Sequence, residues 1–434
     1  MLLSKVLLGF AGLFVAVAVA DDKTDLGSVL GANKNLTKYY DLIKASPWFR
    51  ISPSTGYSLL TCCPEIPRRL APAPQLRRRH AVNLPQIIAP SDKAFDNIPY
   101  TALNGQWDPE DKAKTVPLLQ YHILQGNVST KALDTGPTYV KTTLLTDPQY
   151  TNVTSGQNVL VNKQPGNVVV FTTSMGTRCS LVTGDIGFQG GLVQIVDNLL
   201  IPPARLGKTS EAFKVSSFLG GLYAAKLMPD TADRKNITVF APQDGAFGLV
   251  GGSLEKMDAK QLARVMSYHI IPDRVLVSSA FANNFTIKTL ATDSSGQSQA
   301  FVVIRQAGNN KYVNSAQIVQ PDILIANGIL HIISNVLNPD AESATPDPAI
   351  GTQAPVFPVS SIDGAFTSAL PCTTNCPVTT TAASDVSVGA TTTPTTSVFS
   401  SSSKGAAPAR CTAQVAGAAA MGLLGVGAGL APWL

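Results

Sequence analysis

Three landmarks recur in the same order in the two halves of this 434-residue chain, and a duplicated unit constrains the fold more tightly than any single motif. The first is IIAPSDKAFDNIP at 87–99, matched by TVFAPQDGAFGLV at 238–250. The second is a Tyr-His pair closing an apolar run, in LLQYHILQGN at 118–127 and VMSYHIIPDR at 265–274. The third is GGLVQIVDNLLIPP at 190–203 against NGILHIISNVLNPD at 327–340. The chain has four histidines and places two of them in these pairs. The repeat predicts two similar domains, 23–203 and 207–339, joined near 204–208.

Each unit mixes helices and strands. TSEAFKVSSFLGGLYAAKLM at 209–228 predicts one helix, with Thr209 or Ser210 as cap and Ala212, Val215, Leu219, Leu222 and Tyr223 at helical spacing. NITVFAP is a β-branched and aromatic run stopped by proline, which predicts a strand. Asp258 is placed to cap a helix through AKQLARVMSYHI, while NVVVFT, AFVVIRQ and ILHIISNVL read as strands. The expected fold class is α+β, a small sheet packed on helices.

Leu262, Val265, Met266 and His269 fall at i, i+3, i+4 and i+7, which turns the imidazole toward the apolar face; His122 follows Leu118 and Leu119 in the same way. A histidine in a core must be hydrogen-bonded, and a neutral ring can join two polar groups from different elements. The expected role is a structural pin, with ligand or partner binding as the alternative. No catalytic machinery is legible: G-x-S-x-G and H-E-x-x-H are absent, and the GKT of PPARLGKTS has Pro202 where a phosphate loop needs its first glycine. No catalytic residue, metal site or cofactor is expected, and nucleic-acid binding would rest on one arginine-rich stretch.

The ends read as processing segments. MLLSK followed by the apolar run to Ala20 predicts a signal peptide over 1–20. The Ala/Gly-rich apolar end fits a glycosylphosphatidylinositol-anchor signal over 405–434, with Gly405 as candidate attachment site. Residues 340–404, Ser/Thr/Pro-rich, are expected to form an unfolded, O-glycosylated stalk. Asn-x-Ser/Thr acceptors at Asn35, Asn127, Asn152, Asn236 and Asn284 are expected on solvent-facing loops of a secreted glycoprotein. Cys372 and Cys376 are the candidate disulfide. The stretch 49–85 holds six arginines against Glu65, a charge of +5 equal to that of the whole chain. It reads either as a basic loop for anionic polysaccharide or membrane, or as a disordered insertion or translated intron, and its foreign composition favours the intron.

The three landmarks, in this order and twice, resemble the fasciclin domain of extracellular adhesion proteins. With a secretion signal, a stalk and a lipid anchor, the chain is similar to fungal and plant cell-surface fasciclin-like proteins. The resemblance implies a wedge-shaped β-sandwich flanked by helices in each domain, and adhesion to cell-wall or matrix glycans and surface proteins without catalysis. It implies the plasma membrane or cell wall as location, with a structural wall role or membrane fusion at a vacuole as alternatives. In animal relatives the Tyr-His region and an Asp-Ile pair are implicated in integrin binding; the matching positions are Tyr121, His122, Tyr268, His269, Asp185, Ile186, Asp322 and Ile323. A turn-forming carboxylate is the competing reading of both aspartates. His331 of the closing element is replaced by Gln194 in the first unit.

Overall fold

Each half of the chain builds its sheet by returning the closing strand beside the opening one. The computed structural model describes residues 24–46, 49–50, 58–59, 85–126 and 128–371. The expected signal peptide (1–20), most of 49–85, Asn127, Cys372, Cys376, and the expected anchor segment 405–434 with Gly405 lie outside them.

Helices α1 (Leu26–Ala32) and α2 (Thr37–Ala45) lead into a short pairing of β1 (Phe49–Arg50) with β2 (Ser58–Leu59). The first domain continues through β3 (Gln86–Pro90), α3 (Asp92–Asp96), α4 (Lys112–Tyr121), β4 (Ile123–Leu124), β5 (Thr138–Thr142), β6 (Asn158–Gln164), β7 (Val168–Thr172), β8 (Arg178–Phe188) and β9 (Gly191–Val196). The second runs α5 (Leu206–Ala212), α6 (Ser216–Ala224), α7 (Asp230–Asp233), β10 (Ile237–Pro242), α8 (Asp244–Leu254), α9 (Ala259–Ser267), β11 (Ile270–Ile271), β12 (Phe285–Thr292), β13 (Gln299–Ala307), β14 (Asn310–Val313), β15 (Ala316–Ile325) and β16 (Gly328–Ile333).

Among the described residues each domain holds one seven-stranded sheet with the same order, β4-β3-β9-β8-β7-β6-β5 and β11-β10-β16-β15-β14-β13-β12. The opening and closing strands pair in parallel, Ile88 opposite Gln194 and Phe240 opposite His331. Long strands β8 and β15 carry two register shifts each. A bulge bends its strand and increases twist, so one continuous sheet folds over into two layers. Apolar side chains meet between the layers: Phe240, Ile271 and Ile333 face Val302, Ile304 and Val313. The helices cover the outer face of the β10–β16 layer, where Phe218, Phe247, Val265 and Met266 pack against Val239 and Leu330. The two domains lie within one compact unit and share a small apolar patch of Leu160, Val277, Leu324 and Ile329.

Two expectations are corrected. The helix expected over 209–228 is broken into α5 and α6 at Lys214, whose φ of +55° no right-handed helix accommodates. Thr209 and Ser210 therefore lie inside α5 rather than capping it, and Asp244 accepts the Ser217 N–H at the start of α6. Residues 340–371, expected to open an unfolded stalk, instead wrap back over the second domain and bury Phe357, Ala365 and Phe366 in its helical core; the rest of the expected stalk lies outside the described residues. This strap hydrogen-bonds to α8 (Ile362 N–H to Gly248 O, 2.8 Å) and lies in a groove made by glycines. A Cβ on Gly220 would stand 2.1 Å from the Phe366 carbonyl, and one on Gly251 would stand 2.6 Å from the Ala365 Cβ. A few apolar side chains suffice because the groove has no side chains of its own to exclude them.

Gly220→Ala should therefore lower stability by about 1–3 kcal/mol through overpacking, although alanine in an open helix position gains up to about 1 kcal/mol over glycine. Gly245→Ala, on the open side of α8 where an added Cβ meets nothing, should melt at or above the wild-type temperature. A Gly220→Ala protein that melts as high as Gly245→Ala would show the strap is not seated in solution.

Candidate functional site

The paired landmarks converge on one joint per domain. Asp111 caps the start of α4, and Asp258 the start of α9 through a capping box with Gln261; the two helices end at Tyr121 and Ser267. A helix leaves its last carbonyls without intrahelical donors. His122, at the end of α4, places Nδ1 2.8 Å from the Leu118 carbonyl, and the Leu200 N–H donates to its Nε2 at 3.0 Å. His269 repeats the pattern with the Val265 carbonyl at 2.8 Å and the Leu337 N–H at 2.9 Å. A backbone N–H can only donate, so Nε2 is bare in both rings and Nδ1 carries the proton. Both rings are wholly buried. Burial pushes their pKa down to about 4 against the smaller opposing effect of the helix carbonyl. Each neutral imidazole thus ties the end of a helix to the segment leaving the closing strand.

The preceding tyrosines fasten the other layer. Tyr121 donates its hydroxyl to Asn158 O at 2.8 Å. Tyr268 donates to Phe301 O and accepts from Asn314 Nδ2 at 3.0 Å. Burial raises both phenols, Tyr268 to about 12.

The Asp-Ile pairs sit at the bulges. Asp185 and Asp322 have φ of +59° and +63°, the left-handed region that asparagine and aspartate tolerate better than most side chains. Asp185 accepts from Ser129 Oγ (2.8 Å), Thr130 N (2.9 Å), Thr130 Oγ1 (2.9 Å) and Gln194 Nε2 (2.9 Å). Burial alone would raise its pKa, but these donors, Gln194 foremost, hold it down near 2. Asp322 accepts from Ser278 N at 2.7 Å and from the Ser278 hydroxyl. Gln194 and His331 do the same task by different chemistry. Gln194 Oε1 takes the Asp185 N–H at 2.8 Å, and His331 Nδ1 takes the Asp322 N–H at 3.1 Å. His331 therefore bears its proton on Nε2, which donates to Leu276 O at 2.8 Å, the opposite tautomer to the other two rings. Its pKa is lowered by burial, with Asp322 pulling the other way. Ile323 is buried and Ile186 half-buried against the helical core of its domain.

The sequence reading missed the partners of these aspartates. The signal was a fourth repeat, Val128-Ser129-Thr130 against Val277-Ser278-Ser279, too short to stand out beside the longer landmarks. It also missed an open cleft of about 630 Å³ in the first domain, walled by Leu42 and Ala45 of α2, Phe95 of α3, and Pro99, Trp107 and Pro109 of the following loop. The Phe95 and Trp107 rings lie 6.5 Å apart at 52°, with Asp41 and Glu110 at the rim. Asn35 and Asn284 are exposed, whereas Asn152 and Asn236 are half-buried. Cys179 is a buried thiol whose pKa burial raises, and its Sγ lies 3.4 Å from Leu199 O.

The fasciclin-domain family matches residues 86–202 and 213–339. A fasciclin-like arabinogalactan protein of Arthroderma benhamiae is 27% identical over 61% of this chain and 62% of its own length, so the chain spans under two thirds of that relative. A second, from Phaeosphaeria nodorum, is 26% identical over 58% of this chain and 78% of its own. Among solved structures, a domain pair from the insect cell adhesion molecule Fasciclin I covers 59% of this chain and 90% of that chain, at 14% identity and a TM-score of 0.29.

The buried rings make stability depend on pH. Their folded pKa of about 4 lies below the unfolded value of 6.5, so the unfolded chain takes up protons first as pH falls. Stability is full above pH 6.5 and declines toward pH 4, by roughly 3 kcal/mol per ring. Asp185 stays charged through this window. Thermal melts between pH 7 and pH 4.5 should fall steadily, and His269→Gln should both destabilise at pH 7 and flatten the slope. A wild-type melting temperature constant across that range would contradict the assignment.

Proposed function

We propose that this chain, which belongs to the fasciclin-domain family, is a non-catalytic surface or wall adhesion protein whose two domains display contact surfaces outward, and that the Trp107 cleft takes a sugar ring of a wall or matrix glycan. The carrying observation is that the polar atoms of Tyr121, His122, Tyr268 and His269, and the carboxylates of Asp185 and Asp322, are engaged by partners within the fold. They serve as scaffold, and recognition falls to side chains that still face solvent.

The cleft has the chemistry a pyranose needs. An indole presents a flat apolar face on which the C–H face of a sugar packs, and the half-buried Trp107 lines the cleft beside Phe95. Carboxylates accept hydrogen bonds from ring hydroxyls, and Asp41 and Glu110 stand at the rim. Few polar groups around an apolar wall is the usual make-up of a small-ligand site. A single such contact is weak, and tethering many copies at a surface multiplies it.

Placement at the surface rests on the sequence: the signal over 1–20, and the anchor signal with Gly405 as attachment site. Among the described residues no helix is long and apolar enough to cross a membrane. The relatives are named as fasciclin-like arabinogalactan proteins.

Probing an array of wall glycans and wall proteins with the secreted chain should show glycan binding that Trp107→Ala weakens at least about tenfold, the loss of one aromatic contact worth about 1.4 kcal/mol, measured below the melting temperature of the variant, which loses packing against Phe95. Glycan binding indifferent to Trp107→Ala would remove the cleft from the account; capture of protein alone would favour a protein adhesin.

A further inference from the structure

Two of the glycosylation acceptors meet across the domain junction. Asn236 lies between α7 and β10 of the second domain, with φ of +54°. Its side-chain amide faces Thr154, the third residue of the Asn152-Val153-Thr154 acceptor in the loop before β6 of the first domain. The Thr154 N–H donates to Asn236 Oδ1 at 2.8 Å, and Asn236 Nδ2 donates to Thr154 Oγ1 at 2.6 Å. Because a backbone N–H can only donate, the amide has one orientation, with oxygen and nitrogen both turned to Thr154. Neighbouring bonds hold the same junction. The Asn152 N–H donates to Ala326 O at 2.8 Å, Gln157 Nε2 donates to Ala326 O at 3.1 Å, and Ser279 Oγ donates to Thr138 O at 2.6 Å.

N-glycosylation uses the same atom. An oligosaccharide passes from a lipid-diphosphate donor to Nδ2: the C1–N bond forms, the C1–O bond to phosphate breaks, the lipid diphosphate departs, and the amide nitrogen gives up one proton. The product is a secondary amide, planar and trans. The sugar carbon therefore replaces the Nδ2 hydrogen on the same side as Oδ1. In a two-bond contact along the amide edge, that is the hydrogen directed at Thr154.

We infer that Asn236 and Thr154 form an interdomain latch, and that a glycan on Asn236 and the docked domain pair exclude each other. The Thr154 hydroxyl serves twice, since it also completes the acceptor that Asn152 needs. Asn35 and Asn284, exposed in loops away from this contact, accept sugars without disturbing docking. The inference concerns domain arrangement rather than glycan recognition, and depends on the proposed passage through the secretory pathway for its sugar donor.

The full chain, secreted from a glycosylating host, tests it. Glycopeptide mapping identifies occupied asparagines, and hydrogen exchange reads the Asn152 and Thr154 amides, which are bonded across the junction. Asn35 and Asn284 should be occupied, and molecules bare at Asn236 should show protected amides at 152–154. Thr154→Ala, and Asn236→Gly, which suits the left-handed backbone, should each speed exchange there about tenfold, the loss of roughly 1.4 kcal/mol of local protection. Val169–Phe171 in β7 should stay protected. Molecules carrying a glycan on Asn236 yet protected at 152–154 as fully as bare ones would overturn the exclusion. Wild-type exchange in Asn236→Gly would overturn the latch. Bare Asn35 and Asn284 would count against secretory entry, and the variant comparison would still decide the latch.

Discussion

A neutral imidazole accepting from one backbone segment and donating to another is the interaction on which each domain depends. Without it, the N–H beyond the closing strand would be buried unpaired, at about 1–3 kcal/mol, and the helix-end carbonyl would keep only its 3.2 Å backbone bond, from His122 N to Leu118 O in one domain and from Tyr268 N to Val265 O in the other. No apolar side chain can replace the ring, and a charged one would have to be desolvated in a site packed by Phe218 in the second domain. The same residue also contributes its carbonyl to the sheet, receiving the N–H of Ile88 in one domain and of Phe240 in the other. Helix, opening strand and closing segment are thereby held at a single point, and the adjacent tyrosine extends the hold to the far layer.

The bulged aspartates complete this frame. A left-handed residue in a long strand turns the strand from one layer to the other, and its carboxylate then captures the turn that follows the Tyr-His segment. That Gln194 and His331 both receive the aspartate N–H, while sending their second hydrogen bond to different acceptors, shows what the position requires: one buried acceptor at a fixed place. The integrin-type reading of these residues concerns relatives. Here their polar atoms are bonded within the fold, which is why the proposed recognition site is the cleft.

Repeat, strand identity and the Asp258 cap were legible in the sequence because each is a local pattern of residue types. Asp258 with Gln261, or the β-branched run of NITVFAP, needs no distant partner to be read. The break at Lys214 was not legible, since the apolar period runs through it unbroken and only the contact of Asp244 with the start of α6 marks the stop. The strap was hidden by composition: Ser, Thr and Pro around Phe357 and Phe366 look unfoldable until the glycine groove that receives them is assembled. Thr154 and Asn236 are 82 residues apart and meet only when the domains dock, and the cleft gathers side chains from Lys38 to Glu110. Each requires tertiary structure that no window of sequence contains.

Nuclear magnetic resonance of ring-labelled histidine reads the central feature directly, through the protonation and tautomer of each imidazole. His122 and His269 should appear as neutral Nδ1–H rings that stay neutral from pH 7.5 to pH 5, and His331 at pH 7.5 as a neutral Nε2–H ring. Rings at 122 and 269 that titrate near the ordinary pKa of about 6.5, or that exchange between tautomers, would show that they are not bridging the two segments.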